Sequence, residues 1–527
     1  MTLDYLLKDG RIVDGKGNQW YRGDLAVKDG KIEKVGGSIA GQAREAVELE
    51  DRIVCPGFID PHSHSDFVFF VDSTAQSKVR QGVTTEVVGN CGMSGAPFQG
   101  AAKDKLKASS FAYGLDPDWE GFGEFLEALR KVDKTVNLAP LVGHGTLRAA
   151  VVGMEDRPAT SSELATMEEI LDQALLQGAV GLSTGLYFPP GNYATQEELI
   201  ALGKVVADRD GVLTSHIRDE GSKSIGFIPA VEEILEIATQ AQVPLQISHI
   251  KAFGPDVWGT SKEVLQLVED ARDRGVDATF DQYPYTATGG GIANDTLPAS
   301  FQQGKTSDEI AEELKRPDVR AEVRPAVEAN VRKRGGAENQ TIANFPADQS
   351  YEGKTLHEIS QEQGKDPADV VLDMIAEGRT AGNWISWALN EDDVIRFMKY
   401  PGTMVCSDGA SLSTSGPLSE GNPHPRNFGA FPRVISTYVN EGVLELEEAI
   451  RKMTSLTAQR FGLHDRGTLE SGNWADIVVL EEEVSAAPFE KPKTYPEGIP
   501  YVMVNGEWVI EEGQFVGTLP GRLSRRK

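Results

Sequence analysis

Disulfides, membrane spans and basic surface are what this chain goes without. Its three cysteines, Cys55, Cys91 and Cys406, are odd in number and far apart in 527 residues. That spacing excludes a disulfide framework and points to a reducing cytoplasm. No apolar run reaches the length that spans a bilayer, and residues 1–5 lack the basic start of a secretory signal. Positive charge is scarce: 52 Lys and Arg against 80 Asp and Glu leave a net charge of −28. Such a chain repels nucleic acid and anionic membranes, which leaves small molecules as the expected partners. Gly289-Gly290-Gly291 lacks the spacing of a phosphate-binding loop and reads as a hinge. At 40% hydrophobic content the chain can bury one large core and a second, smaller one. Whether it forms a homo-oligomer is left open by the sequence.

Residues 1–56 alternate short apolar runs with turn pairs, Asp9-Gly10, Asp14-Gly15 and Asp29-Gly30 among them. The stretch 466–527 does the same, with 475–480 and 501–509 as strands and Asn505-Gly506 as a hairpin turn. These two ends predict one small β-sandwich domain. Between them, 57–465 alternates strands with helices, the pattern of parallel βα units. Thr160 with Glu163 reads as a capping box, followed by Met167, Leu171, Ala174 and Leu175 on one face and Gly178 as a stop. Thr195 with Glu198 and Thr260 with Glu263 repeat the cap pattern. Strands are expected at 59–64, 85–89, 137–144, 180–185, 212–217, 245–250, 278–283, 384–389 and 403–407. Nine is one too many for an eight-stranded barrel. The stretch 286–402 is far longer than an ordinary βα connection, so 384–389 is assigned to an inserted, lid-like subdomain there. The expectation is an α/β chain with a TIM-like (β/α)8 barrel, an insertion and a sandwich built from both termini.

Polar residues cluster at the strand ends. His62 and His64 close strand one, two apart and so on one face. Cys91 follows strand two, His144 ends strand three, His216 ends strand five, His249 follows strand six and Asp408 follows strand eight. A lone apolar-flanked histidine is more often a satisfied core residue. Several at the ends of strands that share one barrel rim point to a metal site, and imidazole, thiolate and carboxylate together suit Zn²⁺. Cys55 and Cys406 read as core, His357 and His464 as surface or structural positions. Lys251 shares the face of His249, and Arg218 that of His216, where it buttresses the rim.

The chain resembles the amidohydrolase superfamily, and within it the N-acyl-D-amino-acid deacylases. The resemblance runs over nearly the whole length, through Pro56-Gly57-Phe58-Ile59-Asp60 with His62 and His64, Gly89-Asn90-Cys91-Gly92, Leu141-Val142-Gly143-His144-Gly145, Gly181-Leu182-Ser183-Thr184-Gly185, Ser215-His216-Ile217-Arg218-Asp219-Glu220, Ser248-His249-Ile250-Lys251, Tyr283-Pro284-Tyr285, Ser407-Asp408-Gly409 and His424-Pro425-Arg426. It implies one or two zinc ions. Many binuclear relatives bridge two metals with a carboxylated lysine at the end of strand four, where this chain has Leu182-Ser183-Thr184-Gly185 and no lysine. The resemblance therefore implies Cys91, His216 and His249 at a tighter zinc, with His62, His64 and Asp408 completing a second site.

The resulting expectation is hydrolysis of N-acyl-D-amino acids to a D-amino acid and a carboxylate by metal-activated hydroxide, with Asp408 as general base and acid. Lys251, Tyr283 and Arg426 are the candidate partners of the substrate carboxylate, and His144 lines the site. Two other readings stand beside it. One is another metal-dependent amidohydrolase, acting on cyclic amides or dipeptides, which a substrate panel separates. The other is a non-catalytic binding scaffold, which metal analysis separates.

Overall fold

The computed structural model describes residues 2–108, 113–303, 305–378 and 382–524. Phe58–Asp60, Val83–Val88 and Asn137–Pro140 form one parallel sheet. Val142–Gly143, Gly181–Gly185, Val212–His216, Leu245–Ile247, Ala278–Gln282 and Thr403–Val405 form another, also parallel and in chain order. The third strand is interrupted at Leu141, and its two halves serve the two sheets, so eight strands enclose the barrel. They are buried along their whole length, as expected where helices cover a parallel sheet. The expected third strand, 137–144, ends one residue early: His144 opens the helix His144–Val151.

Strands one and eight share no ladder. The seam between them is held by backbone and side chains together. Asp408 N–H donates to His62 O at 2.9 Å and His64 N–H to Gly409 O at 3.1 Å. Beneath these bonds lies Lys78, fully buried. Its ammonium donates to Asp60 at 2.6 Å, to Gly409 O at 3.2 Å and to the Ser407 hydroxyl. Glu86 lies 3.6 Å away.

The three cap patterns meet three outcomes. Thr160 accepts from Glu163 N–H and Glu163 reciprocates, a complete box at the start of Ser161–Gln177. Thr195 accepts from Glu198 N–H, but the Glu198 side chain turns inward to His144 and Arg148. Thr260 makes no side-chain cap, because its hydroxyl donates to Val257 O instead.

The inserted region carries a core of its own, including Leu297, Val327, Ile342, Phe345, Leu356, Val370 and Trp384. Its antiparallel sheet joins Thr288–Gly291, Asn383–Ser386 and Gln340–Asn344, so the Trp384 strand lies here rather than in the barrel. The glycine triplet, expected as a hinge, is part of an edge strand, with Gly289 paired to Ile385 and Gly290 to Trp384. The helix Glu391–Lys399 packs back on the barrel, with Phe397 against Phe280 at 5.9 Å between ring centroids. In the sandwich, Ile53–Pro56 runs antiparallel to Ile477–Leu480 and joins both ends of the chain in a nine-stranded sheet. Asn505 and Gly506, at φ of 48° and 84°, make the hairpin turn before Glu507–Glu511. No helix among the described residues is long and apolar enough to cross a membrane.

The seam gives a stability prediction. Lys78→Met strands two buried carboxylates and lowers stability by about 3–5 kcal/mol, seen as a fall in the thermal midpoint. Lys78→Met combined with Asp60→Asn recovers part of the loss. An unchanged midpoint in the single variant would remove Lys78 as the pin of the seam.

Candidate metal centre

Past the barrel strands the chain turns sharply. Cys91, His249 and Asp408 all sit at positive φ, 52°, 34° and 47°. This conformation costs a non-glycine residue energy and persists where the surroundings impose it. The turns aim three polar side chains at one point. His62 and His64 arrive there from strand one, which itself ends at Asp60. Their rings are 5.3 Å apart between centroids, while Ser63 between them points away to Glu86.

Cys91 Sγ is the hub. It lies 3.3 Å from His62 Nε2, 3.5 Å from His216 Nδ1 and 3.3 Å from His249 Nε2. Asp408 Oδ1 is 3.1 Å from His64 Nε2 and 3.6 Å from His62 Nε2. The donor atoms fall into two groups, each spanning no more than 4.8 Å: His62, His64, Cys91 and Asp408, and Cys91, His216 and His249. Cys91 belongs to both. A tetrahedral zinc with Zn–S of about 2.3 Å and Zn–N of about 2.0–2.1 Å has S···N edges of roughly 3.5 Å. The observed spacings and the mix of thiolate, imidazole and carboxylate thus fit zinc.

Each of three rings sends one nitrogen to Cys91 and the other to a carboxylate behind it. His62 Nδ1 faces Asp281 Oδ1 at 3.4 Å. His249 Nδ1 faces Glu220 Oε1 at 2.9 Å. His216 Nε2 faces Glu220 Oε2 at 3.8 Å. Carboxylates behind metal-binding imidazoles orient the rings; of these three contacts the one at His249 is within hydrogen-bond distance, and Lys251 Nζ lies 2.8 Å from the same nitrogen. Asp281 also accepts from His249 N–H at 2.7 Å. Sequence reasoning gave neither acid a role. Glu220 was open to detection, as an acid four residues after His216. Asp281 was open to detection too, as a lone acid in a strand buried on both faces.

The electrostatics follow. Burial alone would raise the Cys91 thiol, but His62 and His249, with hydrogen bonds from His216 and His249, hold it well below the usual thiol range. Burial is likewise overcome at Asp408 by Arg426, His249 and His64, which keep its carboxyl well below the carboxylate range. Glu220, pushed up by burial, is brought down by Lys251, His216 and His249. The other two cysteines are buried and free, and burial raises their thiols.

Around this centre stand the expected substrate-binding residues. Arg426 Nη1 donates to Asp408 Oδ2 at 2.6 Å, its Nε is buried with no partner among the described residues, and its guanidinium lies 5.0 Å from the centre of the Tyr283 ring. Tyr283 is buried, which pushes its phenol up to about 12. Lys251 is paired with Glu220 and donates to His249 O at 2.9 Å. His144 is placed differently: its Nε2 meets Glu198 at 2.8 Å in a buried group shared with Arg148. Arg218 buttresses the rim, bound to Glu233 and to Asn192 O. His464 is exposed, and His357 faces Glu338 on the surface.

Comparison with known proteins agrees with this architecture. The amidohydrolase family profile matches residues 45–344 and 410–510. D-aminoacylase of Alcaligenes xylosoxydans xylosoxydans is 35% identical over 99% of this chain and 98% of its own. The N-acyl-D-glutamate deacylase of the same organism is 33% identical over 99% and 97%. The crystal structure of N-acyl-D-glutamate deacylase from Bordetella bronchiseptica, complexed with zinc and a phosphonate mimic of the tetrahedral intermediate, superposes with a TM-score of 0.82 at 33% identity, covering 100% of both chains. By family profile, full-length identity and fold, this chain belongs to the amidohydrolase family, in the branch that holds the D-aminoacylases.

Proposed function

We propose that this protein is a zinc-dependent deacylase that hydrolyses the amide bond of N-acyl-D-amino acids, releasing a D-amino acid and a carboxylate. The observation that carries the reading is the buried sulfur hub: Cys91 Sγ within 3.3–3.5 Å of three imidazoles, with Asp408 in the same group of donor atoms. In this reading Cys91, His216 and His249 hold one zinc, and His62, His64 and Asp408 complete a second position that shares Cys91. Zinc supplies Lewis-acid polarisation of a carbonyl and a water acidified toward neutral pH.

The chain's own residues do the rest. Asp408 is an anion at neutral pH, fixed by Arg426 and His64. It takes the proton of the attacking water at a carboxylate oxygen and returns it to the leaving amine nitrogen. Arg426, with a donor left unpaired among the described residues, and the Tyr283 hydroxyl take the substrate's α-carboxylate. Lys251 adds positive charge at their side while anchored to Glu220. Glu220 and Asp281 place negative charge behind three imidazoles, closest at His249. The preference for the D series rests on the relatives named above. Three free, buried thiols support a reducing, cytoplasmic setting.

Purified protein is expected to carry zinc and to cleave N-acetyl-D-amino acids in preference to their L counterparts and to cyclic amides. Chelation removes that activity and added zinc restores it. Cleavage confined to cyclic amides would sink the reading. Asp408→Asn lowers kcat by about 10²–10⁴-fold, the usual worth of a general base, and a fully active variant would remove Asp408 from that role. Glu220→Gln weakens zinc binding by about 10–100-fold in competition with a chromophoric chelator. Wild-type zinc affinity in that variant would show that Glu220 does not support the metal ligands.

A further inference from the structure

The loop 219–226, which follows the strand ending in His216, is unusually well fixed. Asp219, buried, accepts from Gly221 N–H at 2.9 Å, Gly226 N–H at 3.1 Å, Lys223 N–H at 3.4 Å and Ser224 N–H. Lys333 holds the loop from outside through Ser222 O. One carboxylate thus spends its charge on four backbone donors, and the Lys223 side chain rises from preorganised backbone.

The Lys223 ammonium donates to Tyr187 Oη at 2.9 Å and Asn294 O at 2.7 Å, and lies 4.5 Å from the centre of the Tyr187 ring. An ammonium has three donors. Two are used here, both on neutral acceptors, and among the described residues no carboxylate stands within ion-pair distance of it. Lys105 and Lys134 likewise bond only to carbonyl oxygens among those residues, so what marks Lys223 is where it stands.

Its position connects it to the metal centre. The Tyr187 ring lies 5.6 Å from the His216 ring between centroids, so Lys223 is one aromatic ring removed from the hub. On its other side, Asn294 follows the strand Thr288–Gly291, which starts near Tyr283 and runs past Arg426. A Cβ built on Gly289 would meet nothing nearer than 3.9 Å, and one of the two atoms at that distance is Arg426 Nη2. The φ of Gly289 is not positive, so neither backbone nor packing requires a glycine there. The room is local to Gly289: a Cβ on Gly290 would lie 2.2 Å from Asp295 Oδ2 and one on Gly291 3.5 Å from Asn294 Nδ2.

We propose that Lys223 binds a second carboxylate on the substrate, making the preferred substrates N-acyl-D-amino acids with acidic side chains. Arg426 and Tyr283 take the α-carboxylate beside Gly289, and Lys223, held on Tyr187 and Asn294 next to the His216 ring, takes the side-chain carboxylate. The proposal rests on the deacylase reading.

The test is steady-state kinetics of wild type, Lys223→Met and Lys223→Arg on the N-acetyl derivatives of D-Glu, D-Asp, D-Ala and D-Leu. Wild type is expected to favour the two acidic substrates. Lys223→Met lowers kcat/KM on them by about 10–100-fold, the worth of a charged hydrogen bond, and leaves D-Ala and D-Leu within about threefold. Lys223→Arg retains the acidic preference. An equal loss on all four substrates would make Lys223 a loop tether and overturn the proposal. Wild-type cleavage of the neutral substrates but not the acidic ones overturns it too and leaves the deacylase reading intact. No cleavage of any of the four brings down the deacylase reading itself.

Discussion

The barrel closes on a buried ammonium. Strands one and eight are neighbours without a ladder, and Lys78 lies under their junction bound to Asp60 and Ser407, with Glu86 beside it. Asp60 also accepts from Ser407 N–H at 3.1 Å. Glu86 accepts from the hydroxyls of Ser65 and Ser411, both at 2.7 Å, and from Ser63. The segment carrying His62 and His64 and the segment carrying Asp408 therefore hang from the same two carboxylates. An apolar cluster of equal volume could match such a group in stability. It could not bind the Ser407 amide and the Gly409 carbonyl, and those bonds bring Asp408 beside His64.

A second layer of charge acts on the centre from behind. Glu220 and Asp281 each serve two clients, Glu220 the rings of His216 and His249 and Asp281 the ring of His62 and the backbone of His249. Because Glu220 also holds Lys251, the imidazoles around Cys91 and the Lys251 ammonium share one anion. A disturbance on either side of Glu220 reaches the other through a single side chain. The positive φ of Cys91, His249 and Asp408 is the backbone counterpart: local strain accepted so that three side chains point one way.

Much of this was legible in the sequence, for a physical reason. Barrel strands are buried on both faces, so a histidine or aspartate at their ends stands out from an apolar run, as His62, His216 and His249 do. The long stretch after Tyr285 exceeds any βα connection, and the Trp384 strand duly joins the inserted sheet. Residues whose role depends on direction were less legible. Glu198 fits the spacing of a capping box, yet buried His144 and Arg148 offer its carboxylate more than a solvated helix end does. Gly289-Gly290-Gly291 looks like a hinge because glycine lacks β propensity, but pairing with the Trp384 strand overrides that preference. Asp281 stands out as a lone acid in a buried strand, but its direction has no signal by periodicity, since in a fully buried strand every position is inside.

The missing lysine on strand four has a steric side as well as a chemical one. The loop after strand two meets the end of strand four in backbone contact: a Cβ on Gly185 would lie 2.1 Å from Cys91 O, and one on Gly92 2.7 Å from Gly185 N. Strand three, which should separate them, is reduced at this level to Val142–Gly143. Strand four then ends with the Thr184 hydroxyl bound to Ser215 at 2.8 Å. Side chains at this rim are thus small or absent, and a long one from strand four would displace main chain. A cysteine turned inward by its own positive φ needs only one Cβ–Sγ bond to reach three imidazoles. The close approach of strands two and four and the choice of a thiolate as the shared anion are two aspects of one arrangement.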